Sequence, residues 1–273
     1  MPFGAEGAAD RAARVIAGTL HNSILDVPCP LQMENLPGAG GVRGLERANA
    51  LAAAGEPVLL LGTPTTHVLL PERRHVAPNE WFTPLLGLGS APNVLLVPRM
   101  LGIRGVGELI ERARRERLTY ASAGEGQTIH VCTAFLCRLA GIEMTHRPYD
   151  GGSATAYRDF AAGRVHVYFD SLLGCREHIA AGDAVPLAVS SVRRSAALPE
   201  VPTLVECGFA GHALDVWLGV FAANASPDVA AALADPSFAS RLRALSLEGG
   251  PLAREAFALQ VQESRAAWRR ALG

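Results

Sequence analysis

Residues 118–141 read LTYASAGEGQTIHVCTAFLCRLAG and combine three signals in one stretch. Residues 118–122 predict a short strand, and the glycine-bearing residues 123–126 predict a turn. Apolar residues then recur at helical spacing over residues 128–140, and Gly141 is expected to end the helix. The stretch is therefore predicted to form a strand–turn–helix unit.

The same alternation of strand and helix runs through most of the chain. Repeated strand–helix units favour a mainly parallel sheet with helices on its faces, which is an α/β fold. The other predicted strands lie at residues 31–34, 58–61, 93–97, 143–147, 165–170, 185–190 and 216–222. The other predicted helices lie at residues 8–20, 42–54, 106–113, 153–162 and 172–181, with a last helix opened by Pro251.

Composition and charge exclude several classes of function. The 273 residues are 49% hydrophobic, and 25 basic against 26 acidic residues leave a net charge of -1. A nucleic-acid surface needs a clustered positive patch, so no nucleic-acid partner is expected. The densest basic stretch, residues 112–117, lies at a predicted helix end, where basic side chains suit the helix dipole. No apolar run approaches the ~20 residues of a membrane span, and the sequence shows no signal peptide.

The five cysteines and eight histidines lack the spacing of metal sites. Neither a C-x-x-C pair nor an H-E-x-x-H motif occurs, so we expect no metal and no cofactor. Cys132 lies on an apolar helical stripe and is predicted to be a small core residue. A disulfide among the five cysteines stays open at this point.

Three short loops share a pattern of glycine or hydroxyl residues before a predicted helix, at residues 3–7, 62–66 and 121–128. Backbone N–H groups and the helix dipole make such loops suitable for binding anions. The third loop adds uncharged side-chain donors, from Ser122, Gln127 and Thr128. We therefore expect an anion to be bound at these loops.

Asp170 and Tyr149 each allow two interpretations. Asp170 ends a predicted strand and either accepts a hydrogen bond from a ligand or caps the helix that starts near Leu172. Tyr149 either closes over a ligand or is an ordinary half-buried tyrosine. The sequence leaves both choices open.

An enzymatic interpretation would combine Ser122 with His130 and Asp170 as a hydrolase triad. The residues around Ser122 lack the G-x-S-x-G elbow, and none of the loops contains the lysine that usually clamps a phosphate. We expect a protein that is not an enzyme, with an α/β hydrolase or isomerase that uses Ser122 as the alternative.

Nine short motifs follow one another over nearly the whole chain. They are Pro2-Phe3-Gly4 with Asp10 and Ala13-Arg14; ENLPGAGG at 34–41; Leu61-Gly62-Thr63 with Thr66-His67; Phe82-Thr83-Pro84; APNVL at 91–95; Tyr120-Ala121-Ser122-Ala123-Gly124 with Gly126 and His130; Pro148-Tyr149 with Gly151; Phe169-Asp170; and LPEVPT at 198–203. In this order they resemble the Bug-type solute-binding proteins, the extracytoplasmic receptors of tripartite tricarboxylate transporters.

The resemblance implies a two-lobe, periplasmic-binding-protein-like (type II) fold in which each lobe is a mainly parallel sheet flanked by helices. Lobe 1 would be discontinuous, with residues 1–98 and 216–273, and lobe 2 would comprise residues 99–215. Members carry a secretion signal and a strand before the Pro-Phe loop, where this sequence has Met1. The first lobe is therefore expected to lack its N-terminal strand.

The resemblance also implies a function. It predicts a solute-binding receptor that captures a small carboxylate-containing ligand between the lobes for a tripartite tricarboxylate-type transporter. A periplasmic location, membrane transporter subunits as partners and a monomeric state are expected, with a ligand-sensing subunit of a signalling system as a further alternative. The ligand-binding residues carried over from the family are Phe3, Gly4, Thr63, Thr66, Ser122, Ala123, Gly124, Gln127, Thr128, Tyr149 and Asp170.

Two departures from the family bear on the ligand. Glu6 stands where members usually have a small residue, and Asp150 stands where they often have lysine. Carboxylates at these positions would repel a purely acidic ligand. We therefore expect a ligand that carries a positive or neutral group besides its carboxylate.

Overall fold

A computed structural model describes residues 2, 8–23, 31–78, 80–149, 153–233, 236–243 and 247–273 of the chain. Proximity between Cα atoms divides the chain into two compact units. Unit 1 comprises Met1–Ala91 and Trp217–Arg265, and unit 2 comprises Pro92–Val216 and Ala266–Gly273.

The helices and strands follow one another in a regular order. They are α1 (Ala8–Ser23), α2 (Val42–Ala53), β1 (Val58–Gly62), α3 (Leu70–Arg74), β2 (Thr83–Ser90), β3 (Asn93–Pro98), α4 (Val106–Arg115), β4 (Leu118–Ser122), α5 (Thr128–Ala140), β5 (Met144–Pro148), α6 (Ser153–Ala161), β6 (Val167–Ser171), α7 (Leu172–Ala181), β7 (Ala184–Val189), β8 (Trp217–Ala223), α8 (Pro227–Leu233), α9 (Pro236–Arg243) and α10 (Arg254–Leu272). None of the helices in the described part of the chain is long and apolar enough to cross a membrane.

Unit 2 is built on a mixed sheet with the strand order β5-β4-β6-β3-β7. Strand β4 pairs in parallel with β5 and β6, whereas β3 is antiparallel to β6 and β7. The carboxyl ends of β4, β5 and β6 therefore meet at one edge of the sheet. Helices α5, α6 and α7 each begin just after one of these strand ends.

The core of unit 2 lies against this sheet. Apolar side chains from β3 and β6 and from the helices meet in one cluster, and Val94, Leu96, Phe160, Val165 and Tyr168 are each at most 1% exposed. Strand β3 reads NVLLVP, and each of its residues is buried. Such a nearly continuous apolar run is typical of a strand that is covered on both faces.

Unit 1 is built on a three-stranded sheet with the order β1-β8-β2, and both of its strand pairs are antiparallel. Helix α10 packs so closely on β8 that a Cβ atom added at Gly219 would lie 2.0 Å from Cζ of Phe257. Trp217 and Phe221 pack against the same Phe257 ring. A glycine on β8 thus brings the last helix onto the sheet of unit 1.

The predicted α/β class is confirmed, and several elements match closely. Helices α5 and α7 have the predicted bounds, and strand β4 is also as predicted. The expectation of mainly parallel strands is wrong for unit 1, since its paired strands are antiparallel. It holds only for part of the unit 2 sheet, where β4 is parallel to its neighbours and β3 is antiparallel to its own. The expected N-terminal loop at residues 3–7 and the lack of a strand before it lie outside the described residues and stay predictions.

Two other expectations are wrong, and one strand was missed. Residues 31–34 form no regular structure, and α10 begins at Arg254 rather than at Pro251. Strand β2 was not predicted because Pro84, Gly87 and Gly89 obscure its pattern. The pairing of β2 with β8 shifts register at these residues, and Gly89 has a φ of +125°.

The predicted domain boundary between residues 98 and 99 assigns β3 to the first lobe, whereas the structure assigns it to unit 2. Strand β3 pairs with β6 and β7, so it belongs to the sheet of unit 2. The divisions between the units fall between residues 91 and 92, between residues 216 and 217, and between residues 265 and 266 within α10.

Candidate functional site

The carboxyl edge of the unit 2 sheet collects most of the predicted site residues. In the strand register Ser122 lies opposite Pro148, which precedes Tyr149, and Asn93 lies opposite Ser171, which follows Asp170. In open α/β sheets, ligands bind outside the carboxyl ends of parallel strands. This edge is therefore the candidate site of unit 2.

The Ser122 hydroxyl organises the loop that follows β4. Its Oγ accepts a hydrogen bond from the Gly124 backbone N–H at 3.1 Å and lies 3.1 Å from the Gly124 carbonyl oxygen. Oγ also lies 2.7 Å from Nε2 of His146, on the neighbouring strand β5. Gly124 has a φ of +135°, so a side chain here would strain the turn.

The N-terminus of α5 faces the end of this loop without a side-chain cap. Gln127 is the N-cap residue, and its side chain makes no capping hydrogen bond. The first helical N–H groups of any α-helix lack intrahelical partners and carry the positive end of the dipole. Ala123, Gln127 and Thr128 are half-buried. This end of α5 can therefore accept an anion.

Two histidine rings lie beneath the loop. Nδ1 of His130 accepts a hydrogen bond from the Gly126 N–H at 3.1 Å, and the His130 and His146 ring centroids are 4.3 Å apart. The His146 ring also stacks on Tyr120, with centroids 4.9 Å apart. Burial lowers the pKa of His146, and the nearby Glu125 carboxylate partly offsets this effect. Sequence reasoning missed His146, whose only signal was its place in the strand predicted at residues 143–147.

Tyr149 is buried, and its hydroxyl donates to Oδ2 of Asp159 at 2.7 Å. Arg147 and Arg164 bind the same carboxylate at 3.0 and 2.6 Å. Hydrogen bonds from Tyr149 and Arg164 lower the pKa of Asp159. The backbone N–H of Tyr149 donates to the Ser122 carbonyl at 2.9 Å. Asp159 therefore fixes the Tyr149 hydroxyl, while the Tyr149 backbone is fixed by the residue that begins the loop.

Asp170 is buried and already has protein donors. Its Oδ2 accepts from the Tyr157 hydroxyl at 2.8 Å, and its Oδ1 accepts from the Ser171 N–H at 2.7 Å. The alternative in which Asp170 caps α7 is wrong, because Ser171 is the N-cap residue and accepts from the Gly174 N–H. A Cβ at Gly174 would lie 2.6 Å from Asp170, so the helix approaches this carboxylate closely.

The candidate site of unit 1 follows the carboxyl end of β1. Here Thr65–Leu69 form a π-helical turn, a rare geometry that is frequent at functional sites. Thr66 Oγ1 accepts from the Thr63 N–H at 3.0 Å and lies 2.8 Å from Nδ1 of His67. The turn therefore holds its two predicted ligand-binding threonines in contact.

Two buried polar atoms of this turn have no hydrogen-bond partner within the described part of the chain, namely Thr63 Oγ1 and His67 Nε2. The His67 ring stacks on Phe221, with centroids 3.7 Å apart. Burial, aided by the Arg265 charge, lowers the pKa of His67 to about 3. His67 is therefore neutral at physiological pH.

The remaining sequence expectations have different outcomes. Phe3 and Gly4, together with Glu6 and Asp150, lie outside the described residues. Across those that are described, no cluster of three His, Cys, Asp or Glu side chains could hold a metal ion. Cys132 is fully buried, as predicted, and burial raises the pKa of its thiol to about 12. Four cysteines are free thiols: Cys132, Cys137, Cys175 and Cys207.

Solved structures with the same fold include two proteins with bound dicarboxylates and a periplasmic binding protein. The chain is similar to Rpa4515 of R. palustris with adipate, at 28% identity and a TM-score of 0.81 over 99% of this chain and 93% of that one. It is similar to MatC (Rpa3494) of Rhodopseudomonas palustris with bound malate, at 25% identity and a TM-score of 0.82 over 100% and 97%. The periplasmic binding protein BugD matches at 26% identity and a TM-score of 0.78 over 99% and 95%. The fold is thus that of the periplasmic solute-binding proteins.

Sequence comparisons identify the family within that class. The family described as the tripartite tricarboxylate transporter family receptor matches residues 13–245. The UPF0065 protein in the tcbD-tcbE intergenic region of Pseudomonas sp. (strain P51) is 30% identical over 99% of this chain and 83% of its own length. BugT of Bordetella pertussis is 30% identical over 81% and 68%. The chain belongs to the tripartite tricarboxylate transporter receptor family.

Proposed function

We propose that this protein is a periplasmic receptor that binds a small carboxylate and delivers it, as a monomer, to the membrane subunits of a tripartite tricarboxylate-type transporter. The observation that carries the proposal is the loop between Ser122 and Thr128. The Ser122 hydroxyl is hydrogen-bonded to the backbone of Gly124 in a glycine turn. The N-terminus of α5 follows without a side-chain cap, at the carboxyl end of the parallel strand β4. Family membership supports the same function.

A carboxylate is the ligand class that fits this chemistry. Uncharged N–H and O–H donors bind a carboxylate without burying a second charge that lacks a partner. Two similar proteins have structures with dicarboxylates, adipate and malate. We assign ligand contact to the carried-over residues Phe3, Gly4, Thr63, Thr66, Ser122, Ala123, Gly124, Gln127, Thr128, Tyr149 and Asp170. Tyr149 and Asp170 would contribute through positions fixed by Asp159 and Tyr157.

The second group on the ligand is proposed from sequence alone. Glu6 and Asp150 would place acidic side chains near the loops, so the ligand would carry a positive or neutral group besides its carboxylate. Amino acids and monoamides of dicarboxylic acids have this chemistry.

The partners of Ser122 support binding over the alternative Ser122–His130–Asp170 triad. A hydrolase of the Ser–His–Asp type needs a histidine that is itself held by a carboxylate. Ser122 hydrogen-bonds His146 rather than His130, and Asp170 accepts from Tyr157 and Ser171. The three residues of the alternative triad therefore do not form a hydrogen-bonded relay through Ser122.

Calorimetric titration tests this function. Malate, adipate, aspartate and succinamate would each be titrated into the purified protein at neutral pH. We expect saturable one-site binding of at least one of them, with aspartate or succinamate tighter than adipate. Binding of none would overturn the receptor function, and tight binding of adipate alone would overturn only the expected second group. Hydrolysis of p-nitrophenyl acetate that disappears in Ser122→Ala would favour the enzyme.

A further inference from the structure

His146 contacts the proposed carboxylate loop from a neighbouring strand. Its Nε2 lies 2.7 Å from Oγ of Ser122, 24 positions earlier in the sequence. Strands β4 and β5 run in parallel, with Tyr120 opposite His146, so the sheet register brings the ring beside Ser122. The contact therefore depends on the fold of unit 2 and not on a flexible surface side chain.

The hydrogen bonds around Ser122 limit where its single proton can go. Oγ already accepts from the Gly124 N–H, and it lies 3.1 Å from the Gly124 carbonyl. If His146 Nε2 carries no proton, the Ser122 hydroxyl donates to it at 2.7 Å. If His146 Nε2 carries the proton, Oγ accepts from it, and the serine proton is free to point at the Gly124 carbonyl or at a ligand.

Only the second arrangement lets Ser122 donate to a carboxylate. A carboxylate is an acceptor alone, so it needs the serine proton rather than the serine lone pairs. The tautomer of His146 with its proton on Nε2 therefore decides whether Ser122 is a donor for the ligand. This arrangement needs no charge on the ring, which suits the lowered pKa of His146.

Aromatic and titratable groups from two other elements surround the His146 ring. From β4, Tyr120 stacks on the ring, and from α5, His130 lies against it while its own Nδ1 accepts from the Gly126 N–H. Glu125, in the loop, is the nearby carboxylate, and Cys137 on α5 lies near Tyr120. The loop thus rests on two imidazoles with separate roles.

We propose that His146 is a positioning residue of the binding site, which donates from Nε2 to Ser122 Oγ and so directs the serine proton to the carboxylate of the ligand. The inference rests on the proposed function, because it assigns the direction of a hydrogen bond within that site. Neither the sequence motifs nor the comparisons assign this role.

A double-mutant cycle with malate and aspartate as probes tests the role. His146→Leu removes the donor and is expected to weaken binding about tenfold, whereas His146→Gln places an amide N–H near the same point and is expected to stay within about threefold of the wild type. In the Ser122→Ala background, His146→Leu is expected to change the affinity less than twofold. Independent, multiplying effects of the two substitutions, or no rescue by glutamine, would overturn the proposal.

Nitrogen NMR of the protein without ligand tests the role of His146 even if the proposed receptor function is wrong. Long-range ¹H–¹⁵N spectra show which nitrogen of His146 carries the proton. We expect Nε2 to be protonated in the wild type and the Nε2 shift to move in Ser122→Ala. A proton on Nδ1 alone would overturn the positioning role even if malate binds, and absence of malate and aspartate binding with Nε2 protonated would overturn only the receptor function.

Discussion

The Tyr157 hydroxyl donates to Oδ2 of Asp170 at 2.8 Å, and both residues are buried. Tyr157 lies on α6 and Asp170 at the end of β6, so one hydrogen bond joins a helix to the carboxyl edge of the sheet. Burial and the Asp170 carboxylate raise the pKa of Tyr157 far above its usual value. The tyrosine is therefore a permanent donor to this carboxylate.

Removal of this donor should destabilise unit 2. We expect Tyr157→Phe to lower the free energy of unfolding by about 1.5–3 kcal/mol, because a buried carboxylate loses one of its partners. Urea unfolding followed by circular dichroism measures the loss. Tyr149→Phe is the matched control, since Asp159 keeps Arg147 and Arg164 and the loss should be under about 1 kcal/mol. Equal losses in the two variants would contradict the assignment.

His67 should make unit 1 sensitive to acid. Its pKa is about 3 in the folded protein, against about 6.5 for an ordinary histidine, so the unfolded chain binds more protons between these values. The free energy of unfolding is therefore insensitive to His67 above pH ~6.5. Below that pH it falls by about 1.4 kcal/mol for each pH unit, because protonation of His67 favours the unfolded chain. Urea unfolding at several pH values between 4.5 and 7.5 measures this slope.

His67→Asn should flatten the slope although it lowers stability at neutral pH, because asparagine does not titrate. Phe221→Leu is the control, since it disturbs the ring stack and keeps the titrating group. We expect Phe221→Leu to lower stability at every pH with an unchanged slope. A wild-type slope in His67→Asn would show that His67 does not cause the acid sensitivity.

Gly62 leaves room for the His67 ring at the end of β1. A Cβ at Gly62 would lie 2.5 Å from Cε1 of His67 and 2.6 Å from Cε2 of Phe221. We therefore expect Gly62→Ala to cost about 1–3 kcal/mol of stability through overpacking. Gly18→Ala, in α1 with no atom within 4 Å of the added Cβ, should instead stabilise the protein by about 0.5–1 kcal/mol. Thermal unfolding separates the two, and similar shifts would refute the steric explanation.

Local signals predicted the parts of the fold that depend on neighbours in sequence. Helix α5 begins and ends as predicted, because its apolar spacing and Gly141 act within a few residues. Strand β2 was missed, because Gly87 and Gly89 are required by contacts with Phe257 and Glu248, far along the chain. Strand signals weaken where glycines serve tertiary packing.

The sequence predicted the loops of the candidate site but not the side chains that hydrogen-bond to its loop residues from other elements. Ser122 and the N-terminus of α5 follow from one strand–turn–helix pattern, which the sequence shows directly. His146 and Tyr157 reach Ser122 and Asp170 across strand and helix neighbours, so no local pattern marks them. Such contacts depend on which strands pair and which helix packs on them, and local periodicity does not specify that topology.

Titration of aspartate and malate into the wild type, Ser122→Ala and Thr133→Ala tests the central claim most directly. Thr133 is the control because it is a fully buried hydroxyl residue of α5 whose Oγ1 donates to the Ile129 carbonyl. The loop account predicts that Ser122→Ala weakens carboxylate binding by about tenfold or more, and that Thr133→Ala stays within about twofold of the wild type. Wild-type affinity in Ser122→Ala would contradict it.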